Sequence, residues 1–244
     1  MNERDTEGDL GAAAEDEGMH DDRTRAAQRA VELVTEGFKI YRHGAGDIAA
    51  ARALFERART ADPENDLAWS GMGYVSWASR EFEAAHVAFG EAACRNGYNP
   101  THWIGIGGAL RELRRFPQAI NAFAVAHMLE PENPHALNEW GNCLHDLGRD
   151  HEALVLYHRA IAIDNRHPVF HHNLGIAYRS LGERGLAFEC FESAIEQDPG
   201  YVHSLEELGI LYAESGDEEI ARACLERAGT SRAAALLREF SLDR

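Results

Sequence analysis

Small and aromatic residues recur along the chain at one constant step, the interval from Ala51 to Ala85. Alanine occupies six positions in this step and six more positions seven residues further on. The two alanine columns are Ala51, Ala85, Ala119, Ala153, Ala187 and Ala221, and Ala58, Ala92, Ala126, Ala160, Ala194 and Ala228. Between them lies a mostly aromatic column of Phe55, Phe89, Phe123, Tyr157, Phe191 and Leu225. Because positions four and seven residues apart share one face of an α-helix, each step predicts one helix with a small, closely packed face.

A glycine column twelve residues before the first alanine predicts a second helix in each step. Its members are Gly73, Gly107, Gly141, Gly175 and Gly209. Turn residues separate the two helices: Gly148, Gly182 and Gly216 stand where the first helix should end, and Pro63, Pro131 and Pro199 follow the second. Each step is therefore a predicted helical hairpin, which buries its apolar face only by stacking on its neighbours.

These columns resemble the tetratricopeptide repeat family. The family pattern W-x2-L-G-x2-Y, A-x3-F-x2-A and P is matched by His171, Leu174, Gly175, Tyr178, Ala187, Phe191, Ala194 and Pro199, and by Trp103, Ile106, Gly107, Leu110, Ala119, Phe123, Ala126 and Pro131. The resemblance implies an all-α fold, a right-handed α-solenoid of stacked helical hairpins. It predicts a repeat domain over 25–242, with units at about 30–65, 66–99, 100–133, 134–167, 168–201 and 202–229 and a capping helix at 231–241.

Several residues depart from the repeat pattern. The first unit fits only with Gly37 at the glycine position and a two-residue insertion within 43–46. Arg80 and Arg114 replace the turn glycine in the second and third units. For the capping helix we expect Ser231 as the N-cap. Its inner side should be formed by Leu236, Leu237 and Phe240, and its outer side by Arg232, Arg238 and Glu239.

Acidic residues are concentrated at the N-terminus. The chain has 41 acidic and 24 basic residues, a formal net charge of −17, and residues 1–22 hold nine of the acidic residues and a single Arg. A segment with so few large apolar residues predicts a disordered tail over 1–24, which either solubilises the protein or contacts a basic partner. The acidity also argues against a nucleic-acid partner and against an anionic membrane.

Compartment and chemistry are constrained by what the sequence lacks. There is no apolar run near the length of about 18 residues that a membrane span needs, and no recognisable signal peptide. The four cysteines lie far apart with no CxxC pair, which is typical of free thiols in a reducing compartment. Arg outnumbers Lys 23 to one, with Lys39 the single Lys, and this favours a GC-rich bacterial genome. We therefore expect a cytoplasmic bacterial protein, and leave its oligomeric state open.

No motif predicts catalysis. GxxxxGK, GxSxG and HExxH sequences are absent, so we expect neither enzymatic activity nor a cofactor. The cluster of His167, His171 and His172 could form a metal site only with a further ligand, His135 or His203. We favour imidazoles that pack or line the groove, and predict no metal.

In the tetratricopeptide repeat family the first helix of each unit lines a concave groove that binds peptides. Carried over to this chain, the candidate groove residues are Val34, Phe38, Tyr41, Leu67, Tyr74, Trp77, Ile104, Asn138, Asn142, His172, Asn173 and Arg179. The N-terminal half of this set is apolar and aromatic, whereas the C-terminal half is rich in His and Asn. Tyr74 and Trp77 either anchor a partner or pack in the core.

Some family members clamp a terminal carboxylate with two Asn, two Lys and one Arg. Here Asn142 and Asn173 match the two Asn, but Asn138, His203 and Glu207 replace the cationic residues, so we predict no such clamp. Asn142 and Asn173 could still hold a peptide backbone.

The resulting hypothesis is a non-catalytic scaffold that binds an extended peptide of a protein partner. An alternative comes from residues 36–126, which resemble the cytoplasmic tetratricopeptide chaperones of type III secretion translocators. The residues that carry this resemblance are Gly37 and Tyr41, the segment 68–73 and Phe82.

Overall fold

The computed structural model describes residues 6–43 and 47–240, with side chains described in 22–42 and 47–240. These residues form thirteen helices and no strand, which confirms the all-α prediction. The helices are α1 (Thr6–His43), α2 (Ile48–Ala61), α3 (Asp66–Ala78), α4 (Phe82–Arg95), α5 (Pro100–Glu112), α6 (Phe116–Leu129), α7 (Pro134–Asp146), α8 (Asp150–Ile163), α9 (Pro168–Ser180), α10 (Arg184–Gln197), α11 (Val202–Ser215), α12 (Glu218–Ala228) and α13 (Ser231–Glu239).

The first helix begins well before the predicted repeat domain. α1 starts at Thr6, although the acidic composition led us to expect a disordered tail through residue 24. No side chain before Asp22 is described, so disorder of this segment in solution stays a prediction. Residues 44–46, where the two-residue insertion was predicted, lie outside the described residues.

The hairpins follow the predicted period. The helices α3, α5, α7, α9 and α11 begin at 66, 100, 134, 168 and 202, so the step between them is constant. The starts of α3, α5 and α7 are capped by Asn65, Asn99 and Asn133, whose side chains accept backbone N–H groups of the first turn. Such caps satisfy donors that lack a partner within the helix, so they define where each hairpin begins.

The aromatic column packs directly on the glycine column. A Cβ added at Gly73 would lie 2.7 Å from the Phe89 ring, and one added at Gly175 would lie 2.6 Å from the Phe191 ring. The same contact joins Gly141 to Tyr157. Because each ring lies against the bare backbone of its partner helix, glycine at this column lets the two helices of a hairpin approach closely.

The turns inside the hairpins require left-handed backbone. Gly148, Gly182 and Gly216 have φ of 73°, 82° and 89° at the ends of α7, α9 and α11. Arg80 and Arg114 adopt the same conformation, with φ of 60° and 58°. The geometry of the turn is therefore kept where glycine is absent, and the arginines bear a steric cost of about 1 kcal/mol each.

The chain divides into two units, residues 1–114 and 115–244. In unit 1, α1 to α5 pack each on the next, and α1, α3 and α5 also contact one another in sequence. In unit 2, α6 to α13 pack in the same successive way, and α7 contacts α9. Each unit is therefore a stack of hairpins in which a first helix lies beside the first helix of the next hairpin.

The last helix docks in a way that corrects two expectations. Its N-cap is Thr230 rather than Ser231, and Thr230 Oγ1 accepts a hydrogen bond of 3.0 Å from Ala233 N. Arg232 does not simply face outward, because it donates to Glu206 and Glu207 of α11 at 2.9 Å each. Leu236, Leu237 and Phe240 pack against the apolar cluster around Leu205 and Leu225, as expected for a cap.

Candidate functional site

Unit 1 contains a cavity of about 460 Å³ beside the first helices of its hairpins. We call it the unit 1 cavity. Its lining comes from α1, α3 and the start of α5, and consists of Phe38, Tyr41, Arg42, Leu67, Ser70, Tyr74, Asn99, Thr101 and His102. The cavity has the size and the mainly apolar wall of sites that hold one large side chain or a small ligand.

Aromatic rings build the wall of the unit 1 cavity. The Tyr74 ring lies 6.0 Å from the Phe38 and Tyr41 rings and packs edge-on against Phe89 at 5.1 Å. Burial raises the pKa of Tyr74, with a smaller contribution from Tyr41, so its phenol is neutral near pH 7. Tyr74 thus packs on the core and also lines the cavity, and its role as a partner anchor stays a prediction.

A buried histidine is one of the polar residues of the lining. His102 is fully buried, and its Nε2 lies 2.9 Å from Asp66 Oδ2, which also accepts a hydrogen bond of 2.9 Å from Asn96 Nδ2. Burial raises the pKa of Asp66, but the hydrogen bonds from His102 and Asn96 lower it by more, so its pKa lies below its usual value. Asp66 is therefore ionised and committed to internal hydrogen bonds.

One cation borders the cavity. Arg42 is exposed, and its guanidinium carbon lies 6.0 Å from the Phe38 ring centre. Its positive charge slightly offsets the rise in the pKa of Tyr74. Among the described side chains none forms an ion pair with Arg42, so its guanidinium is available at the rim of a mainly apolar wall.

Four of the seven residues predicted for the N-terminal half of the groove line the cavity: Phe38, Tyr41, Leu67 and Tyr74. Val34 does not, because it is only 4% exposed and packs in the core with Ala30, Ala58 and Ala68. It occupies a core position that was wrongly assigned to the groove surface.

Trp77 and Ile104 are not lining residues of the cavity either. The Trp77 ring packs edge-on against Phe82 at 5.5 Å, and a Cβ added at Gly108 would lie 2.9 Å from it. Trp77 therefore packs on the backbone of the next first helix, which was the alternative to partner binding. Ile104 is half-buried on α5.

The sequence analysis missed five lining residues, Arg42, Ser70, Asn99, Thr101 and His102. A usable signal was present for one of them. His102 shares its repeat column with Ala68, Ala136, Phe170 and Ser204, so a titratable side chain stands where the other units place small or apolar residues.

The candidate asparagines of unit 2 bond to one another or to neighbouring side chains. Asn173 Nδ2 donates to Asn138 Oδ1 at 2.9 Å, and Asn138 is only 3% exposed. Asn142 Oδ1 accepts from the Tyr157 hydroxyl at 2.8 Å, and its Nδ2 lies 3.4 Å from Glu139 Oε1. Each of the three amides already has an internal partner, so their first role is to hold neighbouring helices together.

His172 and Arg179 are engaged in the same way. His172 Nδ1 lies 3.0 Å from Ser204 Oγ, and its ring contacts Phe191 and Tyr201. Burial lowers the pKa of His172 to about 4, helped by the positive charges of His203, Arg179 and Arg232. Arg179 donates to Glu207, a buried carboxylate. These side chains stabilise unit 2 internally.

The described residues contain no group of three or more His, Cys, Asp or Glu side chains placed to hold a metal ion. His171, at the centre of the histidine cluster, lies with its Nε2 3.0 Å from the Asn165 carbonyl oxygen. None of the described helices has the length and apolar character needed to cross a membrane.

Stacked helical hairpins whose first helices line a cavity define a helical-repeat interaction module. Tetratricopeptide repeat family models match residues 43–99, 141–182 and 169–201. The chain therefore contains tetratricopeptide repeats, and such repeats support a protein–protein interaction scaffold. None of the curated proteins matches the chain.

Solved structures share the fold at low sequence identity. One is the Cut9–Hcn1 hetero-tetramer of the APC/C, with a TM-score of 0.75, 20% identity, and coverage of 87% of this chain and 42% of that one. PilF of Pseudomonas aeruginosa gives 0.71 at 16% identity, with 89% and 99% covered. YrrB, described as having an unusual peptide-binding site, gives 0.55 at 22%, with 75% and 95% covered. The chain spans about two fifths of the length of the first of these.

Proposed function

We propose that the protein is a non-catalytic scaffold that binds an extended peptide of a protein partner along the first-helix face of unit 1. The observation that carries this proposal is the unit 1 cavity, about 460 Å³ in volume and walled by Phe38, Tyr41 and Tyr74. Aromatic side chains around a recess are the commonest energetic anchors of protein interfaces. A partner side chain that enters the cavity displaces water from this wall and gains apolar contact.

The contrast between the two units supports this location. In unit 2 the amides of Asn138, Asn142 and Asn173 already have internal partners, so a peptide gains less there. Leu67, on the first helix of a hairpin in unit 1, is 44% exposed and lines the cavity. Leu67 extends the apolar wall formed by the aromatic lining residues, and contiguous apolar patches of this kind mark interaction sites.

The structural relatives are consistent with a binding role. The solved YrrB structure is described as having an unusual peptide-binding site, and Cut9 is seen in a hetero-tetramer with Hcn1. By extension we propose a protein partner for this chain, with no cofactor, in the cytoplasm of a bacterium.

The test begins with the partner itself. The tagged full chain is recovered from a lysate of its host, and captured proteins are identified by mass spectrometry. The binding segment is then mapped with overlapping synthetic peptides, and its affinity is measured by titration calorimetry. The Tyr41→Ala variant should weaken binding by on the order of 2 kcal/mol, because it removes an aromatic anchor.

Tyr98→Ala is the matched control, since Tyr98 is 87% exposed and is not a lining residue of the cavity. Circular dichroism must show the same helix content in both variants. Equal affinities of wild type and Tyr41→Ala for the mapped peptide would place the site elsewhere and contradict the proposal.

The secretion-chaperone alternative is kept because the cavity lies inside the stretch 36–126 that resembles those chaperones. It makes a distinct prediction about the captured partner, which would then carry hydrophobic membrane-inserting segments. A partner without such segments leaves the general scaffold as the better description.

A further inference from the structure

The unit 1 cavity has a charge as well as a shape, and this constrains what can occupy it. Arg42 is the one lining residue with a fixed positive charge. Its guanidinium is exposed beside the Phe38 ring, and no described side chain forms an ion pair with it. A guanidinium in this setting can receive a carboxylate through paired hydrogen bonds.

The acidic group that adjoins the lining does not compete for Arg42. Asp66 Oδ2 accepts hydrogen bonds from His102 and Asn96, each at 2.9 Å, and these bonds keep its pKa below the usual value. Asp66 is thus held by partners outside its own helix. Among the described side chains no carboxylate pairs with Arg42, so the complementary carboxylate is sought in the occupant of the cavity.

We infer that the unit 1 cavity recognises an internal peptide segment in which a large apolar side chain is flanked by a single acidic side chain. This inference rests on the proposed function and names the chemistry of its partner. The apolar side chain enters between Phe38, Tyr41 and Tyr74. The neighbouring Asp or Glu stays at the rim, where it pairs with Arg42.

The position of Arg42 favours a side-chain carboxylate over a terminal one. A terminal carboxylate that followed its own apolar side chain into the cavity would be desolvated against aromatic walls, and burying an unpaired charge is costly. A side-chain carboxylate at the rim keeps much of its water while it contacts Arg42. A peptide with many acidic residues is disfavoured, because the whole chain carries a net charge of −17.

The test uses a phage library that displays random twelve-residue peptides between fixed flanking sequences, so that no displayed peptide has a free terminus. The library is selected against immobilised full-length wild type, Arg42→Glu and Arg57→Glu. Arg57 is exposed on α2, is not a lining residue, and its replacement changes the net charge of the chain by the same amount. Circular dichroism checks that the three proteins are equally helical.

For wild type and Arg57→Glu, the selected peptides should share an apolar residue next to Asp or Glu. For Arg42→Glu, the acidic preference should change to Lys or Arg at the same position. A synthetic peptide with the acidic residue should bind Arg42→Glu at least tenfold more weakly than it binds wild type. The same peptide with Lys in place of that residue should recover most of the lost affinity for Arg42→Glu. The difference should shrink as salt is raised from low to high concentration, because the pair is exposed.

The variant Leu67→Glu separates failure of this inference from failure of the proposed function. If Leu67→Glu abolishes binding but Arg42→Glu selects the same peptides as wild type, the groove binds peptides and the role of Arg42 is wrong. If free-ended peptides bind tenfold better than the same internal segments, the terminal carboxylate is the ligand and the inference is overturned. If the selected peptides bind Leu67→Glu as tightly as wild type, or if no peptide is selected, the proposed function fails as well.

Discussion

The two units use the same repeat positions for opposite purposes. In unit 1 the ninth position of a hairpin is Tyr74, which leaves a ring on the wall of a cavity. In unit 2 the same column holds Asn142, whose amide oxygen accepts a hydrogen bond from the Tyr157 hydroxyl. A position on the first-helix face therefore stays open to other contacts only where the neighbouring hairpins leave its groups unpaired.

The same contrast appears one helical turn earlier in the hairpin. Ser70 lines the cavity of unit 1, whereas Asn138 and His172 at equivalent positions bond to Asn173 and Ser204. Unit 2 therefore gains stability from polar contacts at positions where unit 1 keeps an open recess. The predictions below test how far this difference extends, beginning with a contact that both units share.

The largest effect is expected from the glycine column. Gly73→Val in unit 1 and Gly175→Val in unit 2 would each force side-chain atoms into an aromatic ring, at 2.7 Å and 2.6 Å from the new Cβ. Each should lower the free energy of unfolding by about 3 kcal/mol, because rings packed on backbone cannot move aside easily. Urea denaturation followed by circular dichroism measures the loss.

Gly90→Ala is the control for the glycine variants. Apart from its chain neighbours and the backbone of its own helix, no described atom lies within 4 Å of a Cβ added at Gly90. Ala is also the better helix former by up to about 1 kcal/mol. Similar losses at Gly73 and Gly175 would show that the units differ in their polar face and share their core. A loss confined to one unit would contradict that view.

In unit 2 a pH dependence of stability should arise from His172. Burial, with His203, Arg179 and Arg232 nearby, lowers the pKa of folded His172 to about 4, against an ordinary value of 6.5. The unfolded chain then binds more protons below pH 6.5, so stability falls as the pH falls from about 6.5 to about 4. The difference between the two pKa values corresponds to a total loss of about 3 kcal/mol in the free energy of unfolding.

Denaturation of wild type and His172→Gln at pH 7 and pH 4.5 isolates this contribution from the titration of other groups. The variant should lose less stability between the two pH values than wild type does. His151→Gln, which changes an exposed imidazole that is not among the groups shifting the pKa of His172, is the control and should behave as wild type. Parallel behaviour of all three proteins would sink the assignment to His172.

A smaller effect is expected where the capping helix meets unit 2. Arg232→Ala leaves the buried carboxylates of Glu206 and Glu207 without their shared guanidinium. We expect a loss of about 1 kcal/mol, limited because Arg232 is half exposed and because Arg179 and Thr230 remain as partners. Arg238→Ala, on the exposed side of α13, should change the unfolding midpoint by much less. Equal effects of the two variants would contradict the docking role of Arg232.

The smallest change in stability is expected when the turn residue of one unit is replaced by the type found in the other. Arg80 in unit 1 has φ of 60°, so Arg80→Gly removes a steric cost and should stabilise the protein by up to about 1 kcal/mol. The contact of its guanidinium with the Phe82 ring, at 5.5 Å, offsets part of the gain. Gly148→Ala in unit 2 places a Cβ at a φ of 73° and should lower the stability of the protein by a similar amount. Thermal unfolding would record opposite shifts, and shifts of the same sign would count against turn strain.

Much of the fold was predictable because its signals are local. The contact of Phe191 with Gly175 and the constant step between hairpin starts follow from helical periodicity and turn residues within one unit. The N-cap at Thr230 was missed because both Thr and Ser cap helices and Ser is the more favoured of the two. Only the path of the backbone between α12 and α13 selects one of them.

The candidate site was less predictable. Phe38, Tyr41, Leu67 and Tyr74 were predicted for the groove because aromatic and apolar residues stand out there in the sequence, and all four line the cavity. Val34 was wrongly assigned to the groove surface, because it is buried against α2 and against α3 of the next hairpin. His102 and Arg42 were missed because their relation to the recess depends on three helices from successive hairpins.

The sequence alone determined the hairpin, its period and its glycine–aromatic contact, because these depend on side chains a few turns apart on paired helices. Tertiary structure decided which polar groups on the first-helix face keep an open side. A hydrogen bond such as Tyr157 to Asn142, or Arg232 to Glu207, requires donor and acceptor to meet within about 3 Å, and that distance is set by helix packing. Residue type therefore specifies what each position could bind, and packing specifies what it already binds.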